Sequence, residues 1–270
     1  MNELLIEPFT FGFMQRALIV SVLVGIMCPV LGAYVITRGS AFMGDALAHS
    51  VLPAMALAFL LNISPFIAAV PGGIGIALLM GYLSRRTRIS EDTSIGIVFA
   101  GLFALGLVML SKFSVGVNIE DLLLGQVLGV SVTDVYVSLG LCALVLVGMY
   151  VYHNPLAYTS FDPIGAEVVG IKTSFVEAIL LTMLALVIVV GIQAAGIVLV
   201  MAMLITPAAT GYLLARRFVG VMTVGAVIGG TSAITGLYLS YHFNLPSGPA
   251  MALVATGVFG VVAAWKRRTI

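Results

Sequence analysis

Apolar runs of near-spanning length recur along this chain at about 13–36, 41–61, 65–84, 94–111, 134–152, 175–192, 195–214, 218–241 and 248–265. A helix rises ~1.5 Å per residue, so about 20 residues cross a hydrocarbon layer of ~30 Å. Lipid offers no water to satisfy backbone N–H and C=O groups, which leaves helices or closed barrels. These runs are far too long for barrel strands. Composition agrees, because 61% of the residues are hydrophobic and only 9% charged, against roughly 25% charged in a soluble domain. The expected fold is all-α: a polytopic helical bundle of about nine spans, in a single transmembrane domain over 1–270. Eight or ten spans are also open, since short or broken helices are easily miscounted.

The charges are segregated, and their placement sets the expected orientation. With Lys266, Arg267 and Arg268 taken as cytoplasmic, nine spans put Arg216, Arg217, Lys172, Arg85, Arg86, Arg88 and Arg38 on the same side. Of the 12 Lys and Arg residues, only Arg16 and Lys112 then fall outside. Such a bias follows the positive-inside rule, with the N-terminus outside and the C-terminus inside. The first apolar run lacks a basic flank and is taken as a retained span. Net charge is +1 and gives no sign of a nucleic-acid partner. Cys28 and Cys142 each sit in an apolar run, with neither a disulfide framework nor metal-cluster spacing.

Three segments are expected not to span. In RRTRISEDTS (85–94), Ser90 is placed to cap a helix starting near Glu91, with acids in its first turn. The stretch 112–134 reads as a long external connection, partly re-entrant. The stretch 153–174 reads as the longest cytoplasmic loop. In it Asp162 and Pro163 start a short helix that Gly170 can end, a natural handle for a soluble partner.

The sharpest chemical signal is Asp45 and His49, four residues apart in the second run, SAFMGDALAHSVLPAMALAFLL. On a helix that spacing puts both on one face, a turn apart. An ionisable group within a span is costly and usually faces a polar interior or a pathway. A carboxylate and a neutral imidazole suit divalent Mn, Fe or Zn. Two ligands are too few to trap an ion, which suits passage. The competing reading is a buried pair that only locks helix packing. Pro53, one turn later, should loosen the helix and free carbonyls.

The other polar residues have plainer readings. Glu91 and Asp92 need be no more than an acidic first turn; the alternative is an inner gate. Glu120 and Asp121 read as a solvated pair, or as a lure for cations or a partner. His153 and His242 mark span ends, with His242 alternatively meeting metal at the outer mouth. Gln193 reads as a polar end. Tyr150, Tyr152, Tyr238, Tyr241 and Trp265 read as interfacial anchors. No phosphate loop is present; GAEVVGIKT (165–173) has Ile171 between Gly and Lys. No H-E-x-x-H pair or G-x-S-x-G elbow occurs. A secondary carrier exchanging metal for protons through Asp45 and His49 is one rival, and a membrane enzyme with metal at those residues is another.

RGSAFMGDALAHSVLP (38–53), SEDTSIGIVFAGLFALG (90–106), DLLLGQVLGVS (121–131), FDPIGAEVVGI (161–171), GIVLVMAMLITPAATGYLLARR (196–217) and LPSGPAM (245–251) together resemble the permeases of bacterial manganese/zinc/iron ABC importers, in the family's order. The resemblance implies a fold similar to the cobalamin-importer type and a bacterial plasma-membrane location. It implies a homodimer with the path between copies, each bound to a cytoplasmic ABC ATPase and fed by an extracytoplasmic metal-binding protein. Asp45 and His49 would be pathway or gate residues, and 161–171 the ATPase-coupling helix with contacts at Asp162, Pro163, Ala166 and Gly170. No cofactor would be bound permanently; the metal is cargo, with manganese favoured and zinc or iron open. Ala54 departs from the family, where many relatives have Gly.

Overall fold

Each of these apolar runs becomes a helix in the structure, a computed structural model that describes residues 10–86, 90–112 and 129–267, without the side chains of 65 and 193–195. In chain order the helices are α1 (Gly12–Thr37), α2 (Ala41–Ser50), α3 (Leu52–Leu60), α4 (Pro65–Arg86), α5 (Glu91–Lys112), α6 (Val132–Phe161), α7 (Pro163–Val168), α8 (Thr173–Leu214), α9 (Phe218–Phe243) and α10 (Ser247–Arg267). Nine helical stretches among the described residues are long and apolar enough to cross a membrane. Two of them share α8, which Gly196 breaks with φ 81° and ψ 168°. α2 and α3 together make another, Ala41–Leu60. Glu120, Asp121 and Arg88, together with most of the 112–134 connection, lie outside the described residues.

The chain forms two compact units. Of the described residues, the first comprises 10–33, 129–143 and 190–267. Its helices meet through glycine: a Cβ on Gly25 would lie 2.7 Å from the Gly229 carbonyl oxygen, and one on Gly32 would collide with the carbonyl of Leu204. Backbones this close need residues without side chains, the usual device where lipid removes the hydrophobic drive between helices. The second comprises, of the described residues, 34–86, 90–112 and 144–189. It holds α2, α3, α4, α5 and α7, and every candidate polar residue treated below except Gln193 and His242.

Local chemistry sets the helix ends in this second unit. α1 ends in a Schellman motif: Gly39 has φ 72°, its N–H reaches the Ile36 carbonyl (3.0 Å), and Ser40 N–H reaches that of Val35 (3.1 Å). α5 begins at Ser90, whose Oγ accepts from Thr93 N–H at 3.2 Å, as its sequence suggested. The break between α2 and α3 falls at Val51, just before Pro53. Proline cannot donate to the His49 carbonyl four residues back, and the Val51 N–H turns to that oxygen instead.

The 153–174 stretch differs from the loop expected for it. α6 continues unbroken to Phe161, through Pro155. Only residues 162 and 169–172 separate its helices from the next span.

Candidate metal pathway and coupling site

On α2 the Asp45 and His49 side chains meet as their spacing required. His49 Nδ1 lies 3.0 Å from Asp45 Oδ1 and 3.2 Å from the Asp45 carbonyl oxygen. A carbonyl can only accept, so Nδ1 is the donor, and a neutral ring keeps its lone pair on Nε2, the atom free to bind a metal. Both side chains keep partial access, 20% for His49 and 26% for Asp45. Asp45 Oδ1 itself is enclosed and has no well-aligned donor.

Two residues that sequence reasoning passed over hold the imidazole. Phe99 and Phe103, one turn apart on α5, meet the ring edge-on at centroid distances of 5.8 and 5.5 Å. They stack on each other at 5.7 Å. The available signal was an i,i+4 aromatic pair in a span following the histidine-bearing one. α5 comes this close because Gly106 lies against α3: a Cβ there would sit 2.8 Å from Leu52 Cβ. Ala54 likewise faces a glycine, with Gly72 leaving room for its methyl; a Cβ on Gly72 would lie 2.5 Å away.

At the other end of α2 a second polar group forms. Ser40 Oγ donates to Glu91 Oε1 at 3.2 Å. Arg38 and Glu177 line the same crevice, and Arg85 Nη1 stands 3.4 Å from Glu177 Oε2. Burial lowers the Arg38 pKa, and the carboxylates of Glu177 and Glu91 oppose that shift. Glu91 and Asp92 are both exposed in the first turn of α5, and of the two Glu91 is the one that bonds Ser40. Neither joins Asp45 and His49; Glu91 stands by the first residues of α2, before its first full turn. Glu177 was overlooked, although an acid within the 175–192 run was visible.

The short helix α7 follows its sequence signature closely. Asp162 Oδ1 accepts from Gly165 N–H at 2.8 Å, and Pro163 takes the first helical position. Gly170, at φ 88°, ends it with a second Schellman pair: its N–H reaches Glu167, and that of Ile171 reaches Ala166. Ala166 is fully buried and supports the turn from beneath, while Ile164, Val168 and Val169 are 77%, 83% and 70% exposed.

His153, expected to mark an interface, has its Nδ1 2.7 Å from the Tyr34 hydroxyl. His242, in the first unit, donates from Nδ1 to the Tyr238 carbonyl at 3.1 Å and packs on that tyrosine ring. The Gln193 side chain lies outside the described residues. Among the described residues no group of three or more His, Cys, Asp or Glu side chains could hold a metal. Any cation at Asp45 and His49 therefore needs further donors from water, backbone or another chain.

Nine helical stretches fit to cross a membrane, with no closed group of metal ligands among the described residues, define a polytopic membrane protein. The chain belongs to the ABC 3 transport family, whose model matches residues 10–266. It is 43% identical over 249 residues to the manganese transport system membrane protein MntC of Listeria innocua, covering 92% of this chain and 89% of the relative. It is 36% identical to the chelated iron transport system membrane protein YfeD of Yersinia pestis, covering 97% and 88%. The solved PsaBC from Streptococcus pneumoniae, in complex with Fab, superposes with TM-score 0.87 at 34% identity, over 97% of this chain and 95% of that one. The protein is thus a multi-pass cell-membrane permease of an ABC importer, a class that works with a separate ATPase subunit.

Proposed function

We propose that this permease passes a divalent transition metal, Mn²⁺ in preference to Fe²⁺ or Zn²⁺, along a path on which Asp45 and His49 touch the ion. The observation that carries the reading is the His49 geometry, with Nδ1 committed to its own helix and Nε2 left for a metal beside an underbonded carboxylate. Carboxylate and imidazole bind several such ions, and manganese is favoured because it is the cargo in the name of MntC, whereas YfeD's name gives chelated iron. The chain carries no ATPase centre of its own; a cytoplasmic ABC ATPase docks on Ile164, Val168 and Val169 of the turn that Asp162, Pro163 and Gly170 shape and Ala166 supports. An extracytoplasmic metal-binding protein delivers the ion, a second copy completes the path, and Glu91 and Asp92 stand at its inner mouth. The whole chain acts as one transmembrane permease domain.

The test is Mn²⁺ uptake by the assembled importer in proteoliposomes. Asp45→Ala and His49→Ala should each cut uptake at least about tenfold, the scale on which lost metal contacts act, while leaving the complex assembled. Normal uptake in both would remove the pair from the mechanism, and lost assembly would make it a packing lock.

A further inference from the structure

We propose that Arg38 is the positioning residue that carries movement of the α7 turn to the helix bearing Asp45 and His49. The proposal rests on the import reading above.

Arg38 closes α1 as its last half-helical residue, and its guanidinium reaches across to the end of α6. Nε donates to Ser160 Oγ at 3.1 Å and Nη2 to Thr159 Oγ1 at 3.0 Å. Ser160 and Thr159 are both buried, at 7% and 5% exposure. Each spends its own proton on its helix: Ser160 Oγ donates to the Leu156 carbonyl at 2.7 Å and Thr159 Oγ1 to that of Pro155 at 2.9 Å. Each oxygen is therefore left facing Arg38 as an acceptor, and the fork takes one lone pair on each. Guanidinium stays cationic in proteins, so these are charge-assisted bonds, stronger than neutral ones.

The positions on either side of this contact give it a direction. Ser160 lies two residues before Asp162, which caps α7. Arg38 lies two residues before Ser40, from which α2 starts, and Ser40 is itself tied to Glu91. Between Arg38 and Ser40 stands Gly39 in the left-handed region, a bend that absorbs rotation of α2 without side-chain strain. One turn back along α1, the fully buried Tyr34 bonds His153 of α6. With two rungs, the ends of α1 and α6 move together. Displacement of α7 is then delivered to α2 at Gly39.

The experiment uses the complete importer in proteoliposomes, with Mn²⁺ uptake and ATP hydrolysis measured on the same vesicles. Arg38→Gln removes the fork, and a Thr159→Val/Ser160→Ala double variant removes its acceptors while keeping the charge. Both should lower Mn²⁺ moved per ATP by about tenfold, as expected for losing a pair of charge-assisted bonds, with ATP turnover retained. Arg38→Lys keeps charge without the fork and should recover only part of the coupling. Unchanged coupling in both variants, or loss of assembly in both, would overturn the proposal and leave a structural staple. If only Arg38→Gln fails to assemble, the double variant decides. Failure of the import reading looks different, with no ATP-driven Mn²⁺ uptake by the unaltered complex, and it would overturn both.

Discussion

His49 is held from three sides: by the Asp45 carboxylate and carbonyl, by the edge of Phe99, and by Phe103. Aromatic edge contacts contribute about 0.5–1.5 kcal/mol beyond area, enough to fix one ring orientation among several. Phe103→Ala should therefore weaken Mn²⁺ binding to the purified complex roughly fivefold, read by titration with the metal, with assembly unchanged. Phe103→Tyr, which keeps the ring, should bind as the parent does. The polar pair was legible because an i,i+4 carboxylate and imidazole inside a span stand out against lipid-compatible neighbours. The phenylalanines were not, because an aromatic in a span is unremarkable until the histidine it touches is known. Arg38 read only as an orientation mark and Glu177 drew no reading; only folding brings both to the crevice beside Glu91, and Arg38 to the hydroxyls of α6.

Among the helices, α7 depends most on a single side chain. It has six residues, too few to persist by propensity, so its cap and its buried Ala166 hold it. Asp162→Ala should loosen the turn by about 1 kcal/mol and reduce ATP-coupled uptake, measured in proteoliposomes. Asp162→Asn, which caps equally well, should retain uptake; if Asn behaves like Ala, charge rather than capping matters there. Spans were read to within a few residues at most boundaries because apolar length is a local property. The 91–112 helix starts at Glu91 where its cap signal placed it, and α7 matches its Asp-Pro…Gly signature. The continuation of α6 to Phe161 was not legible. His153, Asn154 and Pro155 carry loop signals, and what keeps the last turns helical is tertiary: Tyr34 on His153, and Arg38 on Thr159 and Ser160.

For the whole molecule, close glycine contacts and polar ties do the work that a hydrophobic core does in water. Gly25→Val would push a branched side chain into the Gly229 backbone, and overpacking of this kind costs roughly 1–3 kcal/mol. Thermal unfolding of the detergent-purified protein should show a clear fall in Tm. Gly140→Ala, where nothing lies within 4 Å, should leave Tm unchanged. The proposed transport path lies in the second unit, where the pair on α2, the bend at Gly39 and the capped turn α7 lie along a series of named contacts. The central claim is that a cation meets His49 at Nε2. Pulsed electron paramagnetic resonance of Mn²⁺ bound to the assembled importer tests it directly. The account predicts a nitrogen coupling from one imidazole that disappears in His49→Gln, whereas the same coupling surviving that substitution would contradict it.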